Sequence, residues 1–276
     1  MGAVSVSLVA GSLCVLACAS RPKRDPDQSL VRYQLGVEYF RSRRVEAAVE
    51  ELRKALDADP ENAEAYNMLG IIALNQGADY VAQAEAADCL LGKDGELVRE
   101  DAARRFREAE QQFRRAVALR PEFPNAWNNL SVAALHLQDW SGAVVAANEA
   151  LKDSTYAEPE FARANLGWAY LQMKEIQRAW KALHEAVSRA PRFCVGRYRL
   201  AKVYFERGDM AQAAENVDAV VEDARCPIQE AFLLGGLVHQ RHRNRERARV
   251  LLRRCADLAP RSCVAGECRR YTELLR

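Results

Sequence analysis

Small and apolar residues recur along this chain at fixed offsets within a period of about thirty-four positions, each period reading as two amphipathic helices joined by a short polar turn. In the first unit Leu35, Gly36, Tyr39, Ala48, Leu52, Ala55 and Pro60 fall at repeat positions 7, 8, 11, 20, 24, 27 and 32. The register returns with Tyr66, Leu69, Gly70, Ala109, Phe113, Ala116 and Pro121, and again with Trp127, Leu130, Ala143, Ala147 and Ala150. A fourth unit supplies Leu166, Gly167, Tyr170, Ala179, Leu183, Ala186 and Pro191. A fifth gives Leu200, Ala201, Tyr204 and Ala213, and a sixth Gly236, Ala248, Leu252 and Pro260. A last short helix, about Val264 to Leu275, is expected to cap the stack.

The glycine and alanine positions let two antiparallel helices approach closely, while the larger residues fill the gap to the next pair. No unit can bury its apolar stripe alone. The pattern resembles the tetratricopeptide repeat, which implies an all-α solenoid of six helix-turn-helix units with a C-terminal capping helix. The unit boundaries read as 29–61, 62–123, 124–157, 158–193, 194–227 and 228–261, with the cap at 262–276.

The second unit carries an insertion, Ala78 to Arg104, yet both flanks keep their register. Alanine-rich sequence before Gly92-Lys93-Asp94-Gly95 and the Glu96 to Arg107 run after it favour helix. The expectation is a projecting helical hairpin over 78–104, turning at the glycine pair with Cys89 near its tip.

Residues 1–17 contain no charged side chain, and Val4 to Ala17 resemble the apolar core of a secretory signal. The stretch is too short for a comfortable membrane span. It closes as Val15-Leu16-Ala17-Cys18, which resembles a bacterial lipobox, so Cys18 is the expected lipidation site and residues 18–28 a polar tether. The competing reading is a plain signal peptide or an uncleaved anchor. Ala19 after the cysteine fits sorting to the outer membrane, with the chain facing the periplasm. With 40 basic and 38 acidic residues spread along the chain, no nucleic-acid stripe stands out.

Setting aside Cys14 and Cys18, six cysteines remain. Cys194 and Cys226 sit symmetrically about the turn near Gly208, so antiparallel helices bring them together in an exported protein. The same symmetry pairs Cys255 with Cys268, with Cys263 the less symmetric choice. The alternative is six reduced, buried cysteines.

Chemistry is sparse. There is no phosphate-cradling glycine loop and no nucleophile elbow, so neither an enzyme activity, a cofactor nor a small-molecule substrate is expected. His239 and His242 read as surface residues. First-helix positions 2, 5, 9 and 12 line the concave face of such stacks and here include Tyr33, Phe40, Asn67, Asn128, Val132, Phe161, Trp168, Leu171, Tyr198 and Phe205. An exposed apolar and aromatic stripe of this kind marks a partner site, with Asn128, Asn129 and Asn165 available to a bound backbone. Of the basic residues that clamp a terminal carboxylate in some repeat modules, only Lys202 is suitably placed.

The lipobox, the six units, Thr155-Tyr156-Ala157-Glu158-Pro159 before Asn165-Leu166-Gly167, and Leu171-Gln172-Met173-Lys174 resemble the Tgl/PilF/PilW family of type IV pilus lipoproteins. That resemblance implies a pilotin: an outer-membrane lipoprotein binding secretin subunits, and other pilus proteins, so that the secretin ring assembles for pilus-dependent motility. The alternative is a repeat lipoprotein serving peptidoglycan enzymes or outer-membrane protein assembly.

Overall fold

The computed structural model describes residues 24–87, 89–90 and 92–275, so the signal-like segment, Cys14, Cys18 and the start of the tether lie outside the described residues. Among the described residues there is no strand. The helices run in pairs: α1 (Pro26–Arg41) with α2 (Val45–Ala58), α3 (Ala63–Val81) with α4 (Gly92–Leu119), and α5 (Pro124–His136) with α6 (Trp140–Ala150). Then follow α7 (Pro159–Gln172) with α8 (Ile176–Arg189), α9 (Cys194–Arg207) with α10 (Met210–Val221), α11 (Gln229–Arg241) with α12 (Arg245–Leu258), and the cap α13 (Cys263–Leu274). The chain is an all-α solenoid.

The first helix begins inside the stretch read as tether. Pro26 fits the first turn, where its missing N–H costs nothing, and the Asp25 carboxylate accepts from the Gln28 N–H at 2.9 Å. Arg24 is tied down as well, donating to Asp59 at 2.7 Å.

Within each pair the close approach is made at repeat position 8. A Cβ added to Gly36 would lie 2.8 Å from Leu52, and one added to Gly70, Gly167 or Gly236 only 2.5 Å from Phe113, Leu183 or Leu252. All four of those large side chains are fully buried. The turn that follows is equally regular: Arg43, Gln138, Lys174, Gly208 and Arg243, seven positions on from the small residue, all adopt φ between 59° and 80°. This left-handed residue stops the first helix, and Asp139, Asp209 or Asn244 immediately after it caps the second by accepting a backbone N–H at 2.9 to 3.2 Å.

The second unit departs from this at Gly77, which occupies that same turn position but stays helical within α3. Its missing Cβ admits the Phe106 ring of α4, which a methyl there would meet at 2.5 Å. The helix therefore runs on through Val81 into a π-helical turn, Ala82–Ala87, and the Gly92-Lys93-Asp94-Gly95 segment opens α4 instead of forming the bend. Nor does the tip project freely. Cys89 is bonded to Cys263 at the start of α13, with the Cα atoms 4.6 Å apart.

That bond reports the shape of the stack. Successive odd-numbered helices touch one another, whereas successive even-numbered ones do not, so the solenoid curves with the odd helices on its inner side. The curvature returns the cap to the hairpin of the second unit, where α13 packs against the π-helical turn. The core is correspondingly segmented, with one large cluster through the last three pairs and smaller ones bridging the earlier pairs.

Candidate functional site: the inner face of the stack

Side chains from first helices face the interior of the curve, and adjacent ones meet across helix boundaries at matching repeat positions. The most polar of these meetings is a chain of amides. Asn129 donates to Asn67 at 3.0 Å, and Asn165 donates to both Asn128 and the Ser131 hydroxyl at 3.1 Å. Arg199 completes it, giving one guanidinium N–H to the Ala164 carbonyl at 3.0 Å and to Asn165 Oδ1 at 3.1 Å. The asparagines expected to wait for a partner are thus spent between helices, because their positions point sideways along the wall; Asn165 and Ser131 are buried.

Beyond the amides the wall turns aromatic and basic. Trp168 of α7 is half-buried, with the Arg199 guanidinium 5.3 Å and the Lys202 ammonium 5.2 Å from its ring centre. Phe205, one turn along α9 from Lys202, lies under Arg241 of α11 at 4.0 Å. Phe205, Leu237, Gln240, Arg241 and Tyr271 line an open cavity of about 510 Å³ at the C-terminal end of this face. Burial within the curve draws the Arg199 pKa down to about 10, leaving the guanidinium charged at neutral pH. Burial, helped by the charge of Glu230, pushes the Tyr198 phenol up to about 12. Surrounding protein and then the Arg199 charge lower the pKa of His136, whose ring stacks on Phe106 at 4.2 Å.

The expected partner-binding residues fall into distinct groups. Phe161 is exposed and meets Phe193 edge-on at 4.9 Å. Tyr33, Phe40, Val132, Trp168, Tyr198 and Phe205 are half-buried and present part of their surface. Asn67 and Asn128 are half-buried and already hydrogen-bonded. Leu171 is not available at all, being 4% exposed within the largest core cluster, although Phe40 and Phe205 at the same repeat position are half-buried. Sequence reading passed over Arg199 and Tyr271, and took Arg241 as part of a solvated, arginine-rich turn. Arg199 occupies the position that carries Asn129 and Asn165 in the two preceding units, which was the one available signal.

His239 is also corrected. It is buried, with Nε2 3.0 Å from Asp218, while His242 is exposed. Arg247 donates to the same carboxylate at 3.0 Å and to Glu222 at 2.6 Å. Cys194 is bonded to Cys226 and Cys255 to Cys268, with Cα separations of 5.5 and 6.1 Å. Among the described residues no cluster of side chains is arranged to hold a metal. A depression of about 770 Å³ lies on the outer side between α2 and α4 and is lined by charges of both signs.

A family model of the tetratricopeptide repeat matches residues 33–93, 99–158 and 164–231. No curated protein matches the chain. Among solved structures, PilW, a widely conserved type IV pilus biogenesis factor, superimposes with a TM-score of 0.69 at 19% identity, covering 88% of this chain and 99% of its own. PilF of Pseudomonas aeruginosa gives 0.68 at 20% identity, covering 88% and 97%. YrrB, a repeat protein with an unusual peptide-binding site, gives 0.51 at 17%, covering 80% and 99%. At these identities the likeness is one of fold.

Proposed function

The chain belongs to the tetratricopeptide-repeat family, a protein-interaction architecture, and from that premise we propose that it is a non-enzymatic lipoprotein of type IV pilus biogenesis. In this reading it sits on the periplasmic side of the outer membrane, binds secretin subunits and promotes their assembly into a ring. One observation carries the proposal. The superposition on PilW and PilF runs nearly the whole length of both chains, at scores of 0.69 and 0.68, whereas YrrB, also covered almost completely, reaches only 0.51. The match thus extends along the stack, beyond the single pairing that any such repeat shares.

The N-terminus supports the same reading. Five residues separate Cys18 from Arg24, which is already fixed to Asp59, so a lipid on Cys18 would keep the first pair within roughly 20 Å of the membrane surface. Deleting the gene and scoring detergent-resistant secretin multimers on immunoblots tests the role, with loss of multimers expected and their persistence counting against it. Palmitate labelling that survives Cys18→Ala would remove the anchor from the account.

A further inference from the structure

The inner face of the last three pairs carries cations that the fold does not pair with carboxylates. Lys202 and Arg241 rest against the rings of Trp168 and Phe205, and among the described residues neither forms an ion pair. Arg199 has a backbone carbonyl and an amide oxygen as partners but no carboxylate. Two other cations of these helices have carboxylate partners, Arg163 meeting Glu185 and Arg247 meeting Asp218 and Glu222, and the exposed Glu230 beside Tyr198 is paired with none of the three inner cations. Glu206, adjacent to Phe205 in sequence, is exposed and forms no ion pair with any of the three. Cations held over aromatic faces in a concave, partly desolvated wall attract anions more strongly than solvated surface lysines do.

The spacing adds shape to charge. Lys202 and Phe205 lie three apart on α9 and so share one helix face, while Trp168 precedes them on α7 and Arg241 follows on α11. The cavity lined by Phe205, Leu237, Gln240, Arg241 and Tyr271 adjoins this row and is of a size that accepts an aromatic or large aliphatic side chain.

We infer that the inner face of α7 to α13 binds an extended acidic segment of a partner protein, with its carboxylates against Arg199, Lys202 and Arg241 and a bulky apolar residue in the adjoining cavity. The inference rests on the reading that this face holds a protein, and it does not depend on the partner being a secretin. It also differs from capture of a terminal carboxylate, since the cations are spread over three helices.

Fluorescence anisotropy of the full chain in detergent with a labelled twelve-residue peptide alternating Glu or Asp with Phe or Leu tests it directly. The comparison peptides carry Gln and Asn, or Lys, in place of the acids. The acidic peptide should bind at least tenfold more tightly than the amide peptide, and Lys202→Glu with Arg241→Glu should abolish that preference and favour the Lys peptide. Unchanged thermal melting of the variant shows that the fold is intact. Equal binding of the three peptides, no binding of the acidic one, or indifference to the charge reversal would each overturn the inference. If deleting the gene leaves secretin multimers intact while the acidic preference is present and is lost on charge reversal, the acidic-segment site stands and the secretin role falls.

Discussion

Cutting the Cys89–Cys263 bridge by replacing both cysteines with serine asks whether the curved stack is closed on itself. The bridge joins residues 174 apart in sequence. In the loop-entropy picture, tethering a segment of that length removes about 5 kcal/mol of freedom from the unfolded chain. That figure is a ceiling, since the Cys194–Cys226 bridge lies within the same loop and already shortens it. A repeat stack also opens in sections, and only an opening that separates the second pair from the cap is opposed by the tether. A loss of roughly 2 to 4 kcal/mol is therefore expected, as a lower and broader guanidinium transition under non-reducing conditions. Trypsin should meanwhile reach Arg99, Arg104 and Arg107 of α4 sooner, because the hairpin no longer has its support. The parent chain, mapped without reduction, should yield a peptide containing Cys89 joined to one containing Cys263. Identical unfolding curves and identical cleavage rates for parent and variant would refute the reasoning.

Three further outcomes follow from the packing. Gly70→Val should destabilise by about 1 to 3 kcal/mol in chemical denaturation, because its side chain would enter the space of the fully buried Phe113 ring; a change under 0.5 kcal/mol, roughly the surface level, would contradict the close approach. Lys174→Gly should stabilise by about 1 kcal/mol by relieving a non-glycine residue at φ 62°, whereas Gly208→Ala, at φ 80°, should cost a similar amount; the reverse signs would undo the turn assignment. Burial raises the Asp218 pKa, but hydrogen bonds from His239 and Arg247 outweigh it and hold the carboxyl below its ordinary value. Such a group contributes stability above about pH 4 that disappears as pH falls through its folded value, so Asp218→Asn should flatten the acid limb of the stability curve. An acid limb of unchanged slope would remove Asp218 from the acid response.

The repeats were readable because their rule is steric and local. Gly36, Gly70, Gly167 and Gly236 stand where no Cβ fits, and the large residue each admits follows at the matching place in the second helix. The two short-range disulfides were readable for a related reason, since each joins positions that a single antiparallel pairing brings together. Closure of the ring was not, because the Cys89–Cys263 contact depends on small rotations accumulated over every intervening pair. Gly77 shows a different use of a small residue. It sits where a turn glycine belongs, yet here its missing side chain serves the passage of Phe106 and the helix continues.

Facing angles limited what could be read of the inner wall. Repeat position 5 or 6 can point into the groove or along it, and the hydrogen bonds from Asn129 to Asn67 and from Asn165 to Asn128 show it pointing along. Position 12 varies between units, with Leu171 enclosed and Phe205 half-open. The inner-face cations gain their meaning from the rings they rest on, which lie on other helices. Arg241 over Phe205 joins residues 36 positions apart.

The central claim is that the inner face holds a partner of the pilus assembly machinery. A photo-crosslinking amino acid placed at Val132 or Phe205 on the inner wall, and at exposed Val145 or Val250 on the second helices, tests it in living cells. The account predicts adducts containing secretin from the inner positions and none from the outer pair. Adducts forming only from Val145 and Val250, or inner positions that capture no secretin while the cells assemble pili, would contradict it.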